Sequence, residues 1–168
     1  MIFEALSVKH LESLFRFESN NRAWFETQIS SRGDDFYSEL AIQGHIQDSI
    51  VDAQLGNSYS AVLVENGEIS ARANIRNICD KKSSASVGYR VAYNKIGQGR
   101  ASYCLAELIR QAHASYEIQE LTAQVLSNNP ASISVLKKHG FKEIDFVENF
   151  IELNGEKLAC ATLSRRSN

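Results

Sequence analysis

The sequence predicts a mixed α/β fold: a largely antiparallel sheet that contains one parallel strand pair. Three observations predict it. First, Asn66-Gly67 and Asn154-Gly155 each stand between β-rich runs, and Asn-Gly is the strongest two-residue hairpin signal because both residues tolerate positive φ. Second, a strand-like run through Val91 is followed by the glycine-bearing segment Ile96-Gly97-Gln98-Gly99-Arg100-Ala101-Ser102, a helix-like run Ala101 to Tyr116 and a buried-looking strand Leu121 to Leu126. A helical crossover between successive strands makes them parallel. Third, the apolar period switches between helical and strand values along the chain, with no internal repeat, low-complexity segment or linker. The predicted order is β, α, α, β, β, β, α, β, α, β, β.

Each element has a local reason. Ile2 to Leu6 reads as a first strand. Ser7 is placed to cap a helix from Val8 to about Glu18, with Leu11, Leu14, Phe15 and Glu18 on successive turns; Asn20-Asn21 interrupts it. Arg22 to Ile29, with Trp24 and Phe25, reads as a short helix or turn, and Ser31 to Tyr37 as a charged loop ending in two aromatics. Leu40, Ile42, Ile46, Ile50 and Leu55 predict a helix from Ser38 that stops at Gly56. Tyr59 to Glu65 and Glu68 to Ile78 form the first hairpin. Lys81 to Ala85 reads as a polar turn, and Val87 to Val91 as the third strand. The crossover helix sets Ala101, Leu105, Leu108, Ile109, Ala112 and Tyr116 on one face. Asn129 and Pro130 are an N-cap and a first helical residue for a helix holding Ile133, Val135 and Leu136. Gly140 fits the left-handed position that ends it, and Phe141 can then touch Leu136. Phe146 to Leu153 and Leu158 to Leu163 form the last hairpin.

Composition narrows the function. A chain of 168 residues with 43% hydrophobic and 23% charged content fits one domain, 1–168, with a sizeable core. A net charge of -2 gives no basic footprint for nucleic acid and mildly favours cationic or neutral partners. No apolar run approaches the roughly 20 residues of a membrane helix. Met1-Ile2-Phe3-Glu4 lacks the basic start of a signal peptide. Cys79, Cys104 and Cys160 are an odd number without metal spacing, which predicts a reduced, cytoplasmic setting and no metal. Cys104, one turn into the crossover helix, reads as a small packed side chain rather than a nucleophile.

Gly97 and Gly99, one residue apart, let successive backbone N–H groups converge. The helix that begins there adds its unpaired N–H groups and the positive end of its dipole. Such a turn suits a phosphate or pyrophosphate; the plainer reading is a strand-to-helix turn that binds nothing. The segment has no Gly-Lys-Ser/Thr ending, so it is no P-loop. It also lacks the third glycine and the later acidic residue of a dinucleotide fingerprint, with Ser102 at the first position and Ser127-Asn128-Asn129 after the next strand.

Taken with the segment Asn129-Pro130-Ala131-Ser132-Ile133-Ser134-Val135-Leu136-Lys137-Lys138-His139-Gly140-Phe141 and the ending Leu153-Asn154-Gly155-Glu156, this loop resembles the GNAT acyltransferases. It is most similar to the branch containing the bacterial ribosomal-protein N-acetyltransferases of RimJ and RimL type. The stretches Phe17 to Phe25 and Arg32 to Tyr37 resemble the same branch. The resemblance implies the GNAT fold, a mostly antiparallel twisted sheet whose central parallel pair splays apart. It implies acetyl-CoA as cosubstrate, with the pyrophosphate on the backbone of Gln98, Gly99, Arg100, Ala101 and Ser102 within the loop Ile96 to Ser102, and charge from Arg100 and Lys95. Pantetheine would lie along main-chain groups near Val91 and Tyr93 like an added strand. Asn129 would sit beside the pantetheine, and Ser132 near the thioester sulfur as the acid.

Three positions depart from the family. Ile96 replaces its usual Arg or Gln. Leu136 stands where many relatives place a tyrosine acid, and Gln124 where many place a glutamate base. Glu18, Asp48 and Glu68 are bases by type only, and each also reads as a surface carboxylate. The expected acceptor is the α-amino group of a protein N-terminus, whose pKa near 8 needs little help from a base. The alternatives are a small amine (a polyamine, amino acid or aminoglycoside) and an acyl-CoA-binding module without turnover. Family habit implies a monomer or homodimer.

Overall fold

The computed structural model describes residues 1–167 except 80 and 82. Among these, seven strands form one sheet in the order β1-β2-β3-β4-β5-β7-β6. The strands are β1 (Ile2–Ala5), β2 (Tyr59–Glu65), β3 (Glu68–Cys79), β4 (Ser84–Val91), β5 (Glu120–Leu126), β6 (Lys142–Leu153) and β7 (Glu156–Arg166). The helices are α1 (Leu11–Asn20), α2 (Arg22–Phe25), α3 (Glu39–Gln54), α4 (Arg100–Tyr116) and α5 (Pro130–Lys138). Only β4 and β5 pair in parallel; the other pairings are antiparallel.

The hairpins form as their turn residues dictate. Asn66 and Gly67 have φ of 52° and 81°, Asn154 and Gly155 of 51° and 79°, the signs a type I′ turn requires. α5 stops as predicted: Gly140 has φ 83°, and the Phe141 N–H reaches the Leu136 carbonyl at 3.1 Å, closing a Schellman motif.

The sheet separates two apolar layers. On one face Ala73, Ile75, Val87, Leu121, Ala123 and Leu163 meet Cys104, Leu105 and Leu108 of α4 and Leu136 of α5. On the other, Val62, Ile69 and Ala92 meet Leu14 and Phe17 of α1 and Ile42 and Ile46 of α3. Leu63 and Val62 belong to opposite layers, as alternate strand residues must.

Three boundaries and one buried face differ from expectation. The N-terminal helix opens with a 3₁₀ turn, Val8–His10, because the His10 imidazole takes the Ser7 N–H at 3.0 Å. β4 begins at Ser84, inside the expected turn Lys81–Ala85, because Ser84 pairs with Cys79 on one side and Glu120 on the other; Lys82 of that turn lies outside the described residues. In α3 only Ile42 and Ile46 are buried, while Leu40 and Leu55 are exposed, since those two lie off the face turned to the sheet. β6 starts at Lys142, paired to Ser164 of β7, with register shifts on either side of Asp145–Val147. As an edge strand it needs a partner on one side only.

Candidate active site

The parallel pair is short. β4 and β5 pair at Ser84–Ser86 against Glu120–Thr122, then run on to Val91 and Leu126 without pairing to each other. The Ala92 N–H bonds the Ser70 carbonyl on β3 at 3.0 Å, and the β3–β4 register is unbroken from Ala71↔Val91 to Arg76↔Ser86. By strand alternation, even-numbered residues of β4 turn their backbone groups to β3, and odd-numbered Tyr89 and Val91 turn theirs into the opening. The Val91 carbonyl there accepts the Trp24 indole N–H at 3.3 Å. Tyr93 does not continue this row. It lies in a 3₁₀ turn past the strand, its N–H is bound by Asn21 Oδ1 at 2.8 Å, and its carbonyl faces the Ile96 N–H at 3.4 Å. The main-chain groups open to a strand-like ligand are therefore those of Tyr89 and the N–H of Val91, not those of Tyr93.

Beyond that turn, Gly97 and Gly99 both take positive φ, 71° and 82°. A Cβ at either would touch no protein atom, so conformation, not crowding, asks for glycine. Gly99 caps α4, and the first helical bond runs from the Tyr103 N–H to its carbonyl at 2.9 Å. The N–H groups of Arg100, Ala101 and Ser102 precede that bond and face the mouth of a cleft of about 450 Å³ that also reaches Ile96, Ala131 and Lys138. This geometry fits a pyrophosphate. The loop's cations are committed elsewhere. Arg100 grips Glu65 with two bonds of 2.9 and 3.0 Å, and Lys95 reaches the same carboxylate at 3.3 Å. The Arg100 hydrogen bonds hold Glu65 down at about 2. Ser102 Oγ lies 2.7 Å from His139 Nε2, tying the start of α4 to the end of α5. Ile96 is 44% exposed and contributes no charge.

α5 begins beside the opening. Asn129 Oδ1 caps it by accepting the Ser132 N–H at 3.1 Å, while its amide donates to Gln28 Oε1 at 3.1 Å. Ser132 Oγ lies 2.9 Å from Tyr89 Oη. Burial raises the Tyr89 phenol, which the Ser132 bond partly offsets. The pair is a neutral hydroxyl couple. The segment around α2 roofs this junction and is pinned by distant side chains: Asn128 donates to the Thr27 carbonyl at 2.7 Å, and Asn154 to the Glu26 carbonyl at 3.1 Å.

A second cleft, about 860 Å³, opens on the α1–α3 side of the sheet. It meets the first at Trp24, Tyr89, Val91, Asn129 and Ser132, so the two communicate through the gap between β4 and β5. Arg32, Arg72, Arg76 and Arg90 line it. Glu18 is fully buried behind them, 2.5 Å from Arg72 Nη1 and 3.3 Å from Arg90 Nη1. Burial pushes the Glu18 carboxyl up, but Arg72 and Arg90 outweigh it and the group ends below its ordinary value. His45 Nε2 stands 2.7 Å from Arg72 Nη2 and accepts from it, so the ring is neutral. Burial first, then Arg72 and Arg32, lower it to about 4.

The fold thus brings Val91, Ile96, Gly97, Gly99, Arg100, Ala101, Ser102, Asn129 and Ser132 around one pair of joined clefts, while Gln98 of the same loop lines neither. Gln124 and Leu136 line the larger one. The three carboxylates that are bases by type do not line it: Glu18 is locked by arginines, Glu68 pairs with Arg16 at 2.9 Å, and Asp48 is exposed on α3. Cys104 is fully buried, and burial lifts its thiol to about 12, so it is a packed side chain. Sequence reasoning missed Tyr89, Gln28 and the arginines. The arginines had a signal: Arg72, Asn74 and Arg76 alternate with Ala71, Ala73 and Ile75, a polar row on one sheet face. Tyr89 and Gln28 had none. No helix of the described residues is long and apolar enough to cross a membrane.

A model of the acetyltransferase (GNAT) domain matches residues 1–142. The uncharacterized N-acetyltransferase p20 of Bacillus licheniformis is 24% identical over 110 residues, 66% of this chain and 61% of that relative. The match therefore spans less than two thirds of the relative's length. Among solved structures, the ribosomal-protein-S5-alanine acetyltransferase from Vibrio fischeri superposes with a TM-score of 0.93 at 15% identity, over 99% of this chain and 92% of that one. Mycobacterium smegmatis RimJ, in complex with CoA-disulfide, does so with 0.89 at 19% identity, over 98% and 81%. At these identities the likeness is one of fold.

Proposed function

We infer the reaction from the premise that the chain belongs to the GNAT acetyltransferase family: one catalytic domain, 1–168, transfers an acetyl group from acetyl-CoA to a primary amine, by direct attack with both substrates bound. The preferred acceptor is the α-amino group of a protein N-terminus. The observation that carries this reading is the junction. A cleft with a phosphate-type loop and a second cleft open to solvent meet at Val91, Ser132 and Tyr89.

The roles follow from the positions. The N–H groups of Arg100, Ala101 and Ser102 would hold the pyrophosphate of acetyl-CoA, with Lys138 the nearest lining cation and Arg100 acting through its backbone. Tyr89 and Val91 would hold the pantetheine arm by main-chain bonds. Acetyl-CoA, when bound, supplies an acyl group already activated as a thioester. The Val91 N–H, turned into the gap between β4 and β5, would stabilise the negative charge on the reacting carbonyl oxygen. Ser132, oriented by Tyr89, would donate a proton to the departing thiolate, while the attacking nitrogen gives up its own proton to water, from which the serine is restored. Asn129 holds Ser132 in place through the helix cap. With no carboxylate lining the larger cleft among the described residues, the amine must arrive with little need of a base. That favours an α-amino group over a lysine side chain.

Thermal unfolding with acetyl-CoA, CoA and NADH tests the cosubstrate. A ligand at 100 times its Kd stabilises by about 2.7 kcal/mol, so both CoA species should raise Tm and NADH should not. Intact-protein mass spectrometry of cells lacking the gene tests the acceptor. At least one protein should lose an N-terminal acetyl group. A proteome with every N-terminus unchanged would remove that acceptor class.

A further inference from the structure

The larger cleft has an electrostatic character opposite to that of the whole molecule. The chain is net -2, yet the cleft is lined by four arginines and, among the described residues, by no Asp, Glu or His. The one carboxylate near it, Glu18, is fully buried behind the wall and already shared by Arg72 and Arg90. His45 adds no negative charge and is held neutral by its bond from Arg72. Arg32, half-buried and stacked at 4.4 Å over Phe36, and Arg76, exposed at the cleft wall, make no salt bridge among the described residues.

Arg32 and Arg90 register the cations around them. Burial, with repulsion from Arg72 and Arg76, pulls Arg32 below its ordinary value although Glu18 opposes this. Burial, with Arg32, Arg72 and Arg76, lowers Arg90 to about 10 in spite of Glu18. Concentrating four cations in one concavity costs free energy unless an anion completes the set.

A second feature sits on the same wall. Asn74 Oδ1 is buried and without a hydrogen-bond partner. Gly88 faces it from β4. A Cβ there would come within 3.2 Å of Asn74 Oδ1 and 3.5 Å of Arg76 Nη2, so glycine keeps space open between an unused acceptor and an unused cation. Acceptor and cation side by side match a molecule that presents an N–H and an anion together.

We propose that the acceptor is an anionic amine: a primary amine with a carboxylate or phosphate a few bonds away, whose anion binds Arg32 and Arg76 while its nitrogen points through the gap between β4 and β5 at Ser132. This rests on the acetyl-transfer reading and sharpens it. The arginines have a second effect: they disfavour an ammonium nearby and so supply neutral amine, the role for which no lining base exists. A polycation such as a polyamine is repelled from this cleft.

The test is steady-state acetylation of peptides identical except at their second and third residues (Asp-Asp, Ala-Ala or Lys-Lys), beside free aspartate and spermidine. Aspartate distinguishes a small acidic amine from an acidic N-terminus. The acidic acceptor should exceed the Ala-Ala peptide in kcat/KM by about 10- to 100-fold, the range of a hydrogen bond to a charged group, and the ratio should shrink as salt rises. The double variant Arg32→Gln, Arg76→Gln spares the buried Glu18 pair, so folding is preserved, and its ratio should fall close to one. Equal rates for the acidic and neutral acceptors, or a preference for spermidine or the Lys-Lys peptide, would overturn the proposal while leaving acetyl transfer intact. If no amine is acetylated, the transfer reading falls. Calorimetric titration of the acidic and neutral peptides into CoA-loaded protein then decides the anion preference by itself.

Discussion

Ser132 and Tyr89 hold each other's hydroxyl at 2.9 Å where the two clefts meet. Neither is charged, so any proton they deliver to a leaving thiolate comes from a weak acid, and a thiolate needs only modest help. Ser132→Ala should therefore lower kcat by about 100-fold, the low end of general acid contributions, with KM for acetyl-CoA nearly unchanged. Tyr89→Phe should lower kcat less. The double variant should be no slower than Ser132→Ala alone, because the phenol acts through the serine. An unchanged kcat in Ser132→Ala would show that the thiolate leaves unaided. Ser132 and Asn129 were legible in the sequence because a helix start with Asn-Pro is a local signal. Tyr89 was not: a tyrosine between Gly88 and Arg90 reads as an ordinary strand former, and its partner lies 43 positions away.

The Glu18 network joins four elements, α1, β3, β4 and α3, through Glu18, Arg72, Arg90 and His45. It gives acid sensitivity a definite origin. His45 titrates at 6.5 when unfolded and at about 4 in the fold. Between those values the unfolded chain binds a proton that the folded chain refuses. Stability from this group is therefore complete above about pH 6.5 and is lost as pH falls toward 4, by up to about 2 kcal/mol once partial exposure is allowed for. Glu18, held below its ordinary 4.5, keeps its contribution down to about pH 4.5 and loses it progressively as pH falls further. His45→Gln retains an acceptor for Arg72 and cannot be protonated. Its Tm should change little between about pH 7 and about pH 5, where the parent falls; parallel declines would mean that another group titrates. The helices carrying this network were legible from their apolar spacing. The network was not: the spacing sets Glu18 on successive turns with Leu11, Leu14 and Phe15, but a carboxylate there reads as a surface one, and its partners Arg72 and Arg90 lie 54 and 72 positions away.

At the scale of the whole molecule, the two Asn-Gly hairpins and the glycine-loop crossover were enough to predict a mixed sheet with one parallel pair, since each is decided by a few adjacent residues. What they could not give is the separation of β4 from β5 after Ser86, which depends on how the outer strands twist, or the position of β7. That strand follows β6 in the chain but lies between β5 and β6 in the sheet. Synthesis gives this order a consequence in time. A ribosome releases β5 long before residues 156–166, and until they emerge Leu121, Ala123 and Val125 stand on a strand whose whole outer edge lacks a partner. The growing chain must wait for an interior strand, not an outer one, and a nascent edge of this kind is a hazard for mispairing. Ribosome-bound chains arrested with residues up to 155 exposed should be cut readily by protease, and those exposing β7 as well should resist. Equal resistance of the two would mean that the first six strands already close a stable core without it.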